Sequence, residues 1–129
     1  MRIGEVMKRE PTYVQPHESC RQAARRMRDG GFGFLPVCDD RRRVIGTITD
    51  RDIAIRIVAE GRQFDLPVGD VMSCEVVACR PDEDVERARK VMSANRKARL
   101  LVLDDRGCLE GVLSSSDLAT ATTSPGRGR

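Results

Sequence analysis

Aromatic residues are scarce in this chain: no tryptophan, one tyrosine (Tyr13) and three phenylalanines (Phe32, Phe34, Phe64) in 129 residues. A platform that stacks nucleic-acid bases needs more rings than that, so the composition points to a soluble domain with an aliphatic core. Histidine occurs once, as His17 in a turn-like Gln-Pro-His-Glu stretch, and no cysteine has a histidine neighbour. The nucleophile-base pairs of covalent catalysis are therefore missing, and an enzyme is not expected. The five cysteines (Cys20, Cys38, Cys74, Cys79, Cys108) are odd in number and contain no CxxC. They read as reduced, small, apolar residues in a cytoplasmic protein that holds no metal, with zinc at Cys74 and Cys79 as the alternative. No apolar run approaches the roughly 18 residues of a membrane span, and MRIGEVMKRE lacks the apolar core of a signal peptide.

Charge is plentiful but balanced. There are 23 basic and 20 acidic residues, a net charge of +3, with both signs interspersed. The densest basic runs, Arg25-Arg26, Arg41-Arg42-Arg43 and Arg96-Lys97-Ala98-Arg99, read as solvated faces, and a nucleic-acid partner is not expected.

What the chain does contain is itself, twice. A shift of 65 residues sets Met7 on Met72, Gly4 on Gly69, Val6 on Val71, Pro16 on Pro81, Ala23 on Ala88 and Met27 on Met92 without a gap. The same shift pairs Leu35 with Leu100, Val37 with Val102, Asp39-Asp40-Arg41 with Asp104-Asp105-Arg106, Gly46 with Gly111, and Asp52 with Asp117. Such a register identifies an internal duplication.

Each copy reads as β-α-β-β-α, a mixed α/β (α+β) unit. The first copy starts with a short strand at Thr12-Tyr13-Val14 and a helix begun by Ser19, with Cys20, Ala23, Ala24 and Met27 at helical spacing and Gly30-Gly31 as its stop. Strands follow at Phe34 to Cys38 and Val44 to Ile48 around a polar turn, then a helix from about Arg51 to Glu60. The second copy repeats this with a strand at Val76-Val77, a helix near Asp84 to Ala94, strands at Leu100 to Leu103 and Leu109 to Leu113, and a helix from about Ser115. The expected organisation is repeat one over residues 1–60, a linker over 61–67, repeat two over 68–121 and a disordered Ser/Gly/Arg-rich tail over 122–129. A three-stranded sheet this small cannot bury both faces alone, so the two copies are expected to pack through their sheets with pseudo-two-fold symmetry, equivalent loops facing each other across a cleft.

The most informative element is GTITDRDIA (Gly46 to Ala54) and its copy GVLSSSDLA (Gly111 to Ala119). Both place Gly-x-x-Thr/Ser-x-x-Asp where a strand ends and a helix opens, so free backbone N–H groups and the positive end of the helix dipole point outward. Two readings are open. Thr49 with Asp52, and Ser114 with Asp117, match a capping box and nothing more. Alternatively, the hydroxyl and helix start bind a phosphate while the aspartate accepts hydrogen bonds from a ribose diol.

The duplicated tracts VMKREPTYVQP, GFLPVCDD and GTITDRDIA resemble a pair of CBS domains, the arrangement called a Bateman module, over almost the whole chain. That resemblance implies repeats packed through their sheets and a cleft holding up to two adenosyl ligands: AMP, ADP or ATP, sometimes NAD or S-adenosylmethionine. It implies ribose contacts by Asp52 and Asp117 and hydroxyl contacts by Thr49 and Ser114. ARLLVLDD and GVLSSSDLA are similar to the final repeat of the AMP-activated protein kinase gamma subunit, a likeness that implies phosphate contacts by Arg99 and Ser116. Where repeat two has Arg99, repeat one has Phe34, so that junction must rely on Arg51 or on a base from elsewhere, and two sites of unequal affinity are expected. Pro11 and Thr12, or Val76 and Val77, with Leu35 and Pro36, would flank the adenine.

The expected function is thus a non-catalytic adenine-nucleotide sensor without a resident cofactor. The alternative is a ligand-free dimerisation or protein-interaction module. A homodimer is expected on either reading, because the apolar stripes of Cys20 to Met27 and Val85 to Met92 look too wide for one module to cover and the family commonly pairs modules.

Overall fold

The periodicities of the two copies become matching elements. A computed structural model describes residues 1–122. In chain order these form α1 (Ile3–Val6), β1 (Lys8–Arg9), α2 (Cys20–Gly30), β2 (Phe34–Cys38), β3 (Val44–Thr49) and α3 (Asp50–Ile53), which continues as a π-helical turn at Ala54–Val58. A 3-10 turn (Val68–Asp70), β4 (Ala78–Cys79), α4 (Val85–Asn95), β5 (Arg99–Leu103), β6 (Leu109–Ser114) and α5 (Ser115–Thr122) complete the α+β fold. The tail expected from residue 122 lies, beyond Thr122, outside the described residues.

The compact units of the chain are not the sequence repeats. Residues 1–11 belong with the residues from Val77 onward, and Thr12–Val76 form the other unit. Each repeat has given up its leading segment to the other. The backbone hydrogen bonds record the exchange pair by pair. Ile3 N donates to Glu83 O (2.9 Å) as Val68 N donates to Glu18 O (2.7 Å), and Gly4 N donates to Pro81 O (2.9 Å) as Gly69 N donates to Pro16 O (2.9 Å).

The unit built around the second repeat carries a four-stranded sheet in the order β1-β6-β5-β4. Strand β6 is antiparallel to both β1 and β5, while β4 runs parallel to β5. In the other unit β2 and β3 pair antiparallel, and single bridges stand where the outer strands would be, Val14 parallel to Val37 and Ser73 antiparallel to Thr47. Both hairpins slip register at the same place, between Val37 and Cys38 and between Val102 and Leu103.

Each unit has its own core. One gathers Ile3, Met7, Cys79, Val85, Ala88, Met92, Leu100, Val102, Leu113 and Leu118, the other Val14, Cys20, Ala23, Met27, Leu35, Val37, Ile48, Ile57, Val68 and Val71. Burying each Val, Leu or Ile contributes about 1.5–3 kcal/mol before entropy. The apolar stripes of α2 and α4 are therefore covered inside their own units. They supply no ground for a homodimer, which corrects the reasoning that rested on them.

Helix α2 starts as its sequence promises: Ser19 Oγ accepts from Gln22 N (3.1 Å), and Gln22 Oε1 accepts from Ser19 N (3.0 Å). It ends on Gly31 in the left-handed region, the C-cap that glycine favours. Helix α4 ends on the same conformation at Arg96, with φ 53° and no glycine to ease it.

Three expected elements differ, the first being the strand at Thr12-Tyr13-Val14, which is reduced to a single bridge at Val14. The paired residues opening the second repeat are Ala78–Cys79, not Val76-Val77, because the strand lies in line with the bridge at Val14, the residue equivalent to Cys79. Val77 still contributes its carbonyl, which accepts from Leu101 N at 3.2 Å. The helix after β3 widens to a π turn, with Ala59 N donating to Ala54 O, five residues back. The extra residue keeps Ile57 in the core, 2% exposed, and turns Val58 out to 72%.

The first glycine of each junction motif is a packing residue. A Cβ on Gly46 would lie 2.6 Å from Ser73 O and 2.9 Å from Met72 Sδ; one on Gly111 would lie 2.7 Å from both Lys8 O and Met7 Sδ. These are the exchanged segments themselves, pressed against the sheet. Gly46→Ala and Gly111→Ala are each expected to destabilise the protein by about 1–3 kcal/mol through overpacking, read as a lower urea midpoint at unchanged slope.

Candidate functional site

Strand β3 runs straight into α3 and β6 into α5, so at each junction the ladder gives way to helix-start amides that groups outside the helix ladder satisfy: Asp50 N donates to Gly33 O (2.9 Å) and Ser115 N to Ala98 O (2.8 Å). Both capping boxes are formed. Thr49 Oγ1 accepts from Asp52 N (3.0 Å) while Asp52 Oδ2 accepts from Thr49 N (2.9 Å). Ser114 Oγ accepts from Asp117 N (3.1 Å) while Asp117 Oδ2 accepts from Ser114 N (2.9 Å).

Each box uses one carboxylate oxygen and leaves one. At the first junction Asp52 Oδ1 faces Arg56 Nε at 3.9 Å, one helical turn on. Arg56 also donates to Val71 O at 2.8 Å, so the exchanged segment holds it in place. At the second junction the residue one turn on is Ala121, and Asp117 Oδ1 has no hydrogen-bond partner among the described residues. Arg56 was legible only as the i+4 cation after Asp52, a spacing that favours an ion pair on a helix.

The second junction brings its expected residues together. Arg99 sits directly across from Ser114 in the β5-β6 register, and the hydroxyls of Ser114 and Ser116 lie 2.9 Å apart. Arg99, Ser115 and Ser116 are exposed while Ser114 and Asp117 are half-buried. Two hydroxyls and a carboxylate oxygen thus cluster at the start of α5, with Arg99 on the strand position paired to Ser114. These are the donors a phosphate takes and the acceptor a diol takes.

The first junction is chemically different. Phe34 lies opposite Thr49 in the same register position. Arg51 is exposed at the second helical residue, and its amide donates to Asp50 Oδ1 at 2.8 Å. Asp50 was not singled out in the sequence, although its N1 position replaces the neutral Ser115 of the second copy with a carboxylate.

The residues expected to flank an adenine divide between the units. Pro11 and Val77 fall in one, and Thr12, Leu35, Pro36 and Val76 in the other. Leu35 is fully buried in its core, so only its backbone could meet a ligand. Pro36 is also buried; its carbonyl accepts from Val14 N at 3.0 Å. Pro11, Val76 and Val77 are half-buried and Thr12 is exposed.

Of the five cysteines, Cys20, Cys38 and Cys79 are buried, Cys108 is half-buried and Cys74 is exposed. Burial pushes the Cys20 and Cys79 thiols up from their ordinary pKa. Among the described residues no three His, Cys, Asp or Glu side chains are grouped to hold a metal ion. None of the described helices is long and apolar enough to cross a membrane.

A duplicated unit of strand, helix, hairpin and helix, with a capped Thr/Ser-x-x-Asp junction in each copy, defines a tandem-domain class. The chain belongs to the CBS domain family, whose model matches residues 3–59 and 68–123. It is 33% identical over 117 residues to the CBS domain-containing protein YhcV of Bacillus subtilis, covering 91% of this chain and 82% of that protein. It is 32% identical over 117 residues to an uncharacterized protein of Methanopyrus kandleri, covering 90% of this chain but spanning only 60% of that relative. Among solved structures, Hypoxic Response Protein I with two coordinated zinc ions matches at a TM-score of 0.84 and 27% identity, over 94% of this chain and 98% of that one. CBSX2 in complex with AMP matches at a TM-score of 0.85 and 23% identity, over 98% of both chains.

The thiol environments generate a direct test. Under native conditions a thiol reagent such as Ellman's is expected to label Cys74 fastest, Cys108 next, and Cys20, Cys38 and Cys79 only on unfolding, as peptide mapping at successive times would report.

Proposed function

We propose that this chain is a regulatory module that binds an adenosyl ligand, AMP, ADP or ATP, at the junction of β6 and α5. Asp117 Oδ1 accepts from the ribose diol; Arg99, Ser114 and Ser116 receive the phosphate. The single observation that carries the reading is the divided carboxylate: Asp117 Oδ2 is engaged by the cap and Oδ1 is not. The AMP complex of CBSX2, which shares the fold, supports the ligand class.

In this reading the first junction is the weaker one. Asp52 Oδ1 has Arg56 nearby, and the fork of Arg99 is replaced by Phe34. The rest of the module responds to ligand because α5 leans on α4 and the core through Leu118, so a ligand ordering the start of α5 is felt in that core. No step of bond making is assigned to the chain.

A second reading has its own observation. Both capping boxes are complete, so each motif has a sufficient structural reason without any ligand. Asp117→Asn separates the two, since an asparagine carbonyl can still accept from Ser114 N. On the ligand reading Asp117→Asn lowers AMP affinity by roughly tenfold or more, the loss of a charge-assisted hydrogen bond, while stability changes little. Asp117→Ala loses affinity and about 1 kcal/mol of stability. Calorimetric titration of AMP, ATP and S-adenosylmethionine, with urea unfolding of each variant, reads both quantities. Wild-type affinity in Asp117→Asn would remove the site.

A further inference from the structure

We propose that the first junction, where β3 becomes α3, takes an adenosine derivative carrying a phosphate on one ribose hydroxyl, the 2′ or the 3′. Asp52 Oδ1 accepts from the hydroxyl that remains, and Arg56 holds the phosphate. The proposal rests on the reading of the Thr/Ser-x-x-Asp junctions as ribose sites, and it adds a ligand class for which the second junction is not built.

Arg56 is exposed, one helical turn past the half-buried Asp52. Its Nε lies 3.9 Å from Asp52 Oδ1, within the field of the carboxylate but beyond hydrogen-bond length. The opposite side of the guanidinium sets its position: Nη1 donates to Val71 O at 2.8 Å and to Met72 O at 3.4 Å, both carbonyls of the exchanged segment. Among the described residues Nε and Nη2 donate no hydrogen bond. That edge is the fork with which an arginine grips a phosphate in two parallel bonds. It is held in place beside the one oxygen of Asp52 that the cap does not use.

The duplication supplies an internal comparison. In the second copy Ala121 stands one turn past Asp117, and the arginine is Arg99, on the strand position paired to Ser114. In the first copy that strand position is Phe34, and the arginine stands one turn past the aspartate instead. The cation has moved from the hydroxyl of the motif to its carboxylate. An intact diol presents two O–H donors, but Asp52 offers it one free oxygen and a guanidinium that only donates. Phosphorylating one hydroxyl makes the match, leaving one donor for Asp52 Oδ1 and one anion for Arg56. Dinucleotide-binding folds use the same division, an acid for a free 2′-hydroxyl and an arginine for a 2′-phosphate. The guanidinium also offsets the like charges of carboxylate and phosphate at short range.

The test is calorimetric titration of Asp117→Ala, which disables the second junction, with three isomers: adenosine 2′,5′-bisphosphate, adenosine 3′,5′-bisphosphate and adenosine 5′-diphosphate. Each carries two phosphates, so only their placement differs. At least one bisphosphate is expected to bind roughly tenfold or more tightly than the 5′-diphosphate, and which one identifies the hydroxyl that Arg56 reads. Arg56→Gln on the same background should bring that bisphosphate down to the level of the 5′-diphosphate and leave the latter unchanged. Because Arg56 also holds the exchanged segment, the isomer comparison in the chain that keeps Arg56 decides the matter even where Arg56→Gln unfolds. The 5′-diphosphate binding as tightly as both bisphosphates, no binding of either bisphosphate, or undiminished binding in a folded Arg56→Gln would each overturn the proposal. Failure of the second-junction site reads differently, as equal affinity of wild type and Asp117→Ala for 5′-AMP, and leaves the isomer comparison standing.

Discussion

Everything in this chain turns on a carboxylate with two oxygens at a place where a strand must become a helix without a loop. The first oxygen is committed: without it, the amide at the end of the strand is left without a partner at the point where two elements meet. The second is committed to nothing that the fold requires. In the first copy Arg56 stands beside it, and in the second copy Asp117 Oδ1 has no hydrogen-bond partner among the described residues. Structural necessity and chemical availability therefore coexist in one side chain, which is why a capping motif and a ligand motif look identical in sequence.

Around that point the rest of the architecture acts as a brace. The glycines that open both motifs exist because the exchanged leading segments pass within van der Waals range of the strand. Those segments bury Ile3 and Met7 in one core and Val68 and Val71 in the other. Each junction is thus held from one side by a segment belonging, in sequence, to the other repeat. The core positions on α2 and α4 agree in burial copy by copy, while the copies differ in chemistry around the junctions, Phe34 against Arg99, Asp50 against Ser115, Phe32 against Lys97. Duplication fixed the scaffold and left the chemistry of the junctions free to differ.

Much of this was legible. The 65-residue register exposed the repeat, Ser19 and Gly31 bounded α2, and the alternating apolar residues of Leu35, Val37, Leu100 and Val102 marked the hairpins that carry the junctions. The exchange of leading segments was not legible, because Gly4 and Gly69 are identical and Pro16 and Pro81 are identical: nothing local says which glycine meets which proline. The π turn was hidden for a similar reason, since Ile53 and Ile57 fit both a 3.6-residue and a wider period. Val76-Val77 outbid Ala78–Cys79 as a strand on side-chain propensity, whereas the ladder is a backbone matter. At the site, Thr49, Asp52, Ser114 and Asp117 could be named from spacing alone. The contrast between Arg56 and Ala121 needed the helical turn after each aspartate to be built.

The most direct test of the central claim leaves the protein untouched and alters the ligand. The wild-type chain is titrated by calorimetry with AMP and with its 2′,3′-dideoxy analogue, which keeps the adenine and the phosphate but lacks the diol that Asp117 Oδ1 is said to hold. Loss of a hydrogen bond to a charged acceptor is worth about 1.5–3 kcal/mol, so the account expects the analogue to bind roughly ten- to a hundredfold more weakly. Equal affinity for the two would show that Asp117 is a cap and nothing more.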